Sequence, residues 1–215
     1  DELRVRLDTY GFDYAECLTG ENLDHFPSEL EHHNIEYTVK GAVDFLDQVP
    51  EDKPFFLWTA FTTTHGPHEP IDSGDVRNTP AGFAEEHLGL MPDRSSYIET
   101  NDKWRSVIKE MVLWMDGGIG VILDKLEAQG QLDNTLIIFL SDQQNAGKAS
   151  PYERGANIPF IARWPGTIEP GTKSETLLDV TDMAATFIDI SGAQPLSGMQ
   201  IDGLSVVPVW RGQSD

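Results

Sequence analysis

The sequence predicts an α/β fold, a mostly parallel sheet with helices on both faces. Three observations lead there. Some stretches carry apolar residues at steps of three and four, others are short and continuously apolar, and the two kinds alternate along the chain. Ser28-Glu29-Leu30-Glu31 reads as a capping box, and Ile35, Val39, Ala42, Leu46 and Val49 continue it as a helix of about five turns. Pro50 and Glu51-Asp52-Lys53 stop that helix. Pro54 then opens Phe55-Phe56-Leu57-Trp58-Thr59-Ala60-Phe61, too short for a helix and bounded by breakers, which predicts a strand buried on both faces.

From Thr62 to about Arg94 the periodicity disappears, which predicts a long functional loop or mobile segment over 62–95. A long helix follows, with Trp104, Ile108, Met111, Met115, Ile119, Ile122 and Leu126 forming one apolar stripe that ends near Gly130. Asp133-Asn134 turns the chain into a second buried strand, Thr135-Leu136-Ile137-Ile138-Phe139-Leu140, and Pro159-Phe160-Ile161-Ala162-Arg163-Trp164 predicts a third. A final helix is expected from Val180 to Ile190, closed by Gly192.

Composition sets bounds on function. At 215 residues the chain can bury one sizeable core. Asp plus Glu outnumber Lys plus Arg by 36 to 15, a formal net charge of -21 that repels nucleic acid and anionic lipid and reads as a solvated or salt-adapted surface. No stretch approaches the ~18 consecutive apolar residues of a membrane span, and Asp1-Glu2-Leu3-Arg4 has no signal-peptide apolar region. The single cysteine, Cys17, excludes an internal disulfide and reads as a buried apolar residue.

In open parallel sheets ligands bind beyond the carboxyl ends of the strands, which directs attention to residues 62–68 and 141–148. The first segment, Thr62-Thr63-Thr64-His65-Gly66-Pro67-His68, holds two imidazoles in a breaker-rich turn. A loop histidine can bond an anion or exchange a proton near neutral pH, or simply bond local backbone, and both readings stand for His65 and His68. For His25, His32, His33 and His87 the expectation is a solvated or capping role. In the second segment, Ser141-Asp142-Gln143-Gln144-Asn145-Ala146-Gly147-Lys148, a carboxylate follows an apolar run abruptly. Asp142 with Gln143 offers the hard oxygens that calcium or magnesium takes, and Asp142 can equally form an Asx-turn or cap a helix. Lys148 is a point charge suited to an anionic ester, or a solvated loop lysine. Glu153 and Arg154, beside Tyr152, can pair with each other or face a substrate.

Taken in order, these segments resemble the formylglycine-dependent sulfatases of the alkaline phosphatase superfamily. The pieces are Gly11-Phe12-Asp13-Tyr14, Pro54-Phe55-Phe56-Leu57, Thr64-His65-Gly66-Pro67-His68, Met115-Asp116-Gly117-Gly118-Ile119-Gly120 and Asp133-Asn134-Thr135. They continue with Ser141-Asp142-Gln143, Gly147-Lys148-Ala149-Ser150-Pro151-Tyr152-Glu153, Pro159-Phe160-Ile161 with Arg163-Trp164-Pro165-Gly166, and Asp202-Gly203-Leu204-Ser205.

The resemblance implies hydrolysis of sulfate monoesters on a sulfated small molecule or glycan. It makes Asp142 and Gln143 ligands to a Ca2+ (or Mg2+) ion, His65 and Lys148 catalytic contacts to the sulfate oxygens, and His68 a further substrate-binding residue. It also implies a hydrated formylglycine nucleophile, a packing role for Asp116 and its glycines, and a periplasmic, secreted or lysosomal setting. A related phosphodiesterase or phosphonate hydrolase, and an anion-binding protein without catalysis, are the alternatives.

Two departures qualify this resemblance. The residue after Asp142 is more often Asn or His in the family than Gln, so Gln144 is an alternative ligand to Gln143. The nucleophile motif, Cys/Ser-x-Pro/Ala-x-Arg, is not matched by Cys17-Leu18-Thr19-Gly20-Glu21, so Cys17 is not the nucleophile. The amino-terminal acidic ligands and the small C-terminal sheet subdomain are also unmatched. The expectation is therefore that residues 1–215 are the central and C-terminal portion of the large catalytic domain, inactive without the remainder of the same protein.

Overall fold

The computed structural model describes residues 2–20, 23–28, 30–98, 106–144, 148 and 150–213. Glu29, Trp104, Gly147 and Ala149, all used in the sequence reading, lie outside the described residues. The chain forms two compact units, Asp1–Leu132 and Asp133–Asp215.

The first unit contains α1 (Glu2–Thr9), α2 (Ile35–Gln48), a hairpin of β1 (Asn78–Thr79) with β2 (Gly82–Phe83), and α3 (Val107–Ala128). Its core lies between α2 and α3, where Ile35, Val39 and Leu46 meet Met111, Trp114, Ile122 and Leu126. The expected helix begins at Ile35, where its apolar pattern starts, and not at the Ser28 capping box. Asn34 caps α2, its side-chain oxygen accepting from the Tyr37 amide at 2.9 Å, while its amide nitrogen donates to the Val76 and Asn78 carbonyls. A residue whose side chain serves both the helix end and the neighbouring loop takes the cap from the Ser28 box.

α3 is the expected long helix, capped by Ser106 and closed at Gly130, whose φ of +69° suits a residue without a Cβ. Its buried stripe runs through Met111, Trp114, Gly118, Ile122 and Leu126, so Ile108 is exposed and Met115 and Ile119 are only half-buried. Gly118 explains the shift. A Cβ there would lie 2.7 Å from Ile35 Cγ2 and 2.9 Å from Val39 Cγ2, so the helices approach closely at this point.

The run 55–61 is not buried on both faces. Phe55, Leu57 and Phe61 pack on the core, whereas Phe56 and Trp58 are exposed, the residue-by-residue alternation of an extended chain. Among the described residues it joins no ladder.

The 62–95 loop is extensively anchored. Ile71 and Met91 enter the core, and Arg94, 5% exposed, donates to both oxygens of Glu36, 2% exposed, at 3.0 and 2.9 Å. Arg94 also donates to the Ile71 carbonyl at 3.1 Å, Trp114 Nε1 donates to Glu36 Oε1 at 3.2 Å, and the guanidinium lies 4.4 Å from the Trp114 ring centroid.

The second unit contains β3 (Ile137–Leu140), α4 (Glu153–Ala156), β4 (Phe160–Arg163), α5 (Asp182–Ser191) and α6 (Val207–Trp210). β3 and β4 fall where the second and third strands are expected, but β3 is half-buried and not buried, β4 alternates half-buried and exposed, and they pair antiparallel, Ile137 opposite Arg163 and Leu140 opposite Phe160. Both ladders among the described residues are antiparallel, which departs from the parallel sheet expected. The connection over 141–159 is long enough for a parallel crossover, but such a crossover usually runs through a helix, and the helix described there, α4, is a single turn. α5 ends as expected at Gly192, φ +67°. Asp202-Gly203-Leu204-Ser205 docks on it: the Leu204 amide donates to Asp182, Ser205 Oγ to Asp189, and a Cβ on Gly203 would overlap the Thr181 carbonyl at 2.3 Å. Among the described residues no helix is long and apolar enough to cross a membrane.

Two glycines of α3 should respond oppositely to alanine. Gly120→Ala meets nothing within 4 Å and should stabilise by about 0.5–1 kcal/mol through helix propensity. Gly118→Ala gains the same propensity but presses on two buried β-branched side chains, for a net loss of about 1–2 kcal/mol. Denaturant unfolding of the two variants measures the contrast.

Candidate functional site

The sequence-predicted residues fall into two groups, His65 and His68 in the first unit and Asp142, Gln143 and Lys148 in the second.

The histidine loop is a small hydrogen-bonded structure. The His65 amide donates to the Thr62 carbonyl at 3.1 Å, closing a turn. His65 is exposed, and its Nδ1 bonds the Gly66 carbonyl at 2.9 Å. A carbonyl only accepts, so Nδ1 carries a proton and Nε2 is the atom left to meet a ligand. His68, also exposed, donates from Nε2 to the Thr64 carbonyl at 3.1 Å, leaving Nδ1 outward.

Under this loop sits His33, which the sequence reading had assigned to a solvated or capping role. It is 8% exposed. Its Nδ1 lies 2.8 Å from Thr62 Oγ1, and its Nε2 lies 2.9 Å from the His65 carbonyl and 3.1 Å from the Pro67 carbonyl. Burial pushes its imidazole below 6.5; the two carbonyl hydrogen bonds oppose this, and the nearby His65 and His68 rings reinforce it. Nothing near His33 in the sequence marks these partners, which lie 29 to 34 residues away. Its neighbour His32 pairs through Nδ1 with Glu69 at 2.9 Å.

In the second unit Asp142 is exposed, just beyond the end of β3. Its Oδ1 accepts the Gln143 amide at 2.8 Å, its Oδ2 accepts Gln143 Nε2 at 3.4 Å, and Ser141 Oγ donates to the Gln143 carbonyl at 2.7 Å. Gln144 is committed elsewhere, its side-chain amide donating to the Asn157 carbonyl. The donors of Asp142 and Gln143 have the hard-oxygen chemistry of a calcium or magnesium site, but two adjacent residues supply fewer oxygens than the six to eight such an ion takes. Among the described residues no group of three or more His, Cys, Asp or Glu gathers for a metal.

Lys148 is exposed. Glu153 accepts from Asn157 Nδ2 at 3.2 Å at the end of α4, and Tyr152 is 78% exposed. Cys17 is half-buried against α2, less than the buried residue expected, and burial raises its thiol pKa, which does not suit a thiolate nucleophile.

The model of the family described as Sulfatase matches residues 9–193, a span that holds every one of these residues. The chain belongs to the sulfatase family. Among curated members, the N-acetylgalactosamine-6-sulfatase of Homo sapiens is 26% identical over 210 residues, 89% of this chain and 35% of that protein. The chain thus spans about a third of that relative's length. Among solved structures, the crystal structure of Ps i-CgsB in complex with k-i-k-neocarrahexaose matches with a TM-score of 0.66 at 25% identity, over 84% of this chain and 39% of that one. A phosphonate monoester hydrolase from Silicibacter pomeroyi shares the fold at a TM-score of 0.57 and 20% identity, over 100% of this chain and 50% of that one.

The neutral state of His33 gives a pH signature. Its folded pKa is below the 6.5 of a free imidazole, so the unfolded chain binds more protons in that window. The stabilisation is fully present above about pH 6.5 and is lost as pH falls through the folded pKa. Unfolding free energy measured from pH 7.5 down to 5 should drop more steeply in the wild type than in His33→Phe.

Proposed function

We propose that the protein containing this chain is a sulfuric ester hydrolase acting on a sulfated sugar or glycan, with residues 1–215 forming the central and C-terminal portion of its large catalytic domain. The observation that carries this reading is the sulfatase family match over 9–193, which includes both the histidine loop and the Asp142–Lys148 segment. The glycan class draws support from the relative named N-acetylgalactosamine-6-sulfatase and from the neocarrahexaose complex.

In this reading His65 presents Nε2 to a sulfate oxygen. Because Nδ1 already donates to Gly66, bonding an anion through Nε2 requires the ring to carry both protons and therefore a positive charge. His68, on the same loop, is a further substrate-binding residue. Lys148 supplies a positive point charge that tolerates a change of oxygen geometry during the reaction. Asp142 and Gln143 would hold a hard divalent cation through carboxylate and amide oxygens, and that cation would supply positive charge to the ester. Gln143 is preferred to Gln144 because the latter's amide is held by Asn157. The family's formylglycine motif is not matched within these 215 residues, so this segment by itself does not turn over.

In the full-length protein, Lys148→Ala and His65→Ala should each lower kcat/KM for a sulfated monosaccharide by about 100- to 1000-fold. Asp142→Asn should in addition raise the calcium or magnesium concentration needed for half-maximal rate. Preferential hydrolysis of a phosphonate monoester, or sulfate binding without any turnover, would overturn the assignment.

A further inference from the structure

We propose that His33 is a positioning residue of the sulfate-binding site: its buried imidazole fixes the backbone from which His65 emerges. The inference rests on the reading that His65 contacts the substrate anion.

Three contacts make the argument. His33 Nε2 faces the carbonyls of His65 and Pro67 at 2.9 and 3.1 Å. Two acceptors converge on that one nitrogen, so it carries the proton, shared between them. Nδ1, 2.8 Å from Thr62 Oγ1, is in the neutral ring the acceptor for that hydroxyl. One ring thus binds residues 62, 65 and 67, the two sides of the turn that carries the outward imidazole. Each partner is used in a way no aliphatic or aromatic hydrocarbon side chain can replace, and at 8% exposure little water is available to stand in.

The anchor itself is rigid. His33 precedes Asn34, the cap of α2, and Ile35 and Glu36 that follow are buried in the core, Glu36 tied to Arg94 and Trp114. The ring position is therefore set by the packing of α2 on α3, and the ring transmits that position to the His65 carbonyl. Since His65 Nδ1 is turned back onto Gly66, displacing this backbone displaces Nε2 directly. A shift on the order of 1 Å at a catalytic contact costs about 100-fold in rate.

The test uses the full-length protein and a sulfated monosaccharide, assayed well below the melting temperature of every variant. His33→Phe keeps the ring volume and removes all three contacts; kcat should fall about 100-fold with KM changed less than about threefold. His33→Gln, whose side-chain N–H can reach the carbonyls, should recover at least tenfold of that loss, and His33→Asn, one methylene shorter, should not. The His33→Phe/His65→Ala double variant should be no slower than His65→Ala, because His33 acts through His65. If His33→Phe does not fold, the Gln and Asn variants decide by the same comparison, equal rates in the two counting against the proposal. A merely structural histidine would lower the melting temperature while leaving kcat within about twofold, or would multiply its effect with that of His65→Ala, and either result overturns the proposal. If His65→Ala alone leaves kcat unchanged, the reading of His65 fails first and this proposal falls with it.

Discussion

One buried charge pair organises the first unit. Glu36 and Arg94 are both nearly inaccessible, and a charge removed from water persists only with a partner and satisfied hydrogen bonds. Here the carboxylate receives the guanidinium and the Trp114 indole, and Arg94 reaches on to the Ile71 backbone. Glu36 belongs to α2, Trp114 to α3 and Arg94 to the far end of the long loop, so this group closes the loop at the cost of having no alternative arrangement. A pair of this kind adds little net stability compared with apolar residues of the same volume, but it penalises any displacement of the loop that separates the partners. His33, Asn34 and Glu36, nearly consecutive at the start of α2, hold the loop at residues 62–67, 76–78 and 94 respectively.

That arrangement accounts for how a stretch of more than thirty residues, mostly irregular apart from the short β1–β2 hairpin, can present a defined side chain. Long loops without secondary structure are usually functional or mobile, and here the choice is made by polar tethers combined with two apolar anchors, Ile71 and Met91. His65 is exposed on the outside of the loop while its backbone is held from the inside. Exposure gives access to an anion; the tethered backbone limits the entropy lost on binding. In the second unit the Asp142-Gln143 turn follows β3 directly, so its carboxylate inherits the fixed position of a strand end.

Much of this was legible in the sequence because periodicity and order survive without knowledge of partners. The apolar spacings of α2, α3 and α5 and the short apolar runs of β3 and β4 located those elements, and the ordered motifs located the family. What was not legible depends on long-range geometry. An apolar run such as 55–61 does not state which of its faces meets a core. Strand direction depends on the crossover, and the four-residue α4 was too short to be read from the pattern. The start of α2 was misplaced because Asn34 outcompetes an equally plausible cap by also bonding residues 76 and 78. His33 was missed because nothing near it in sequence reveals that its three partners lie about thirty residues away. Gly118 lies outside the apolar stripe read from the sequence, and its meaning, the close approach of Ile35 and Val39, depends on the partner helix.

The buried Glu36 group holds the long loop in place, and amide hydrogen exchange reads this out. In the full-length protein, Glu36→Gln keeps the side-chain size and removes the charge, leaving Arg94 buried without its counter-ion. The account predicts faster amide exchange across 62–98, the His65 turn included, with β3 and β4 exchanging as in the wild type. Unchanged protection of 62–98 in a folded Glu36→Gln variant would contradict it.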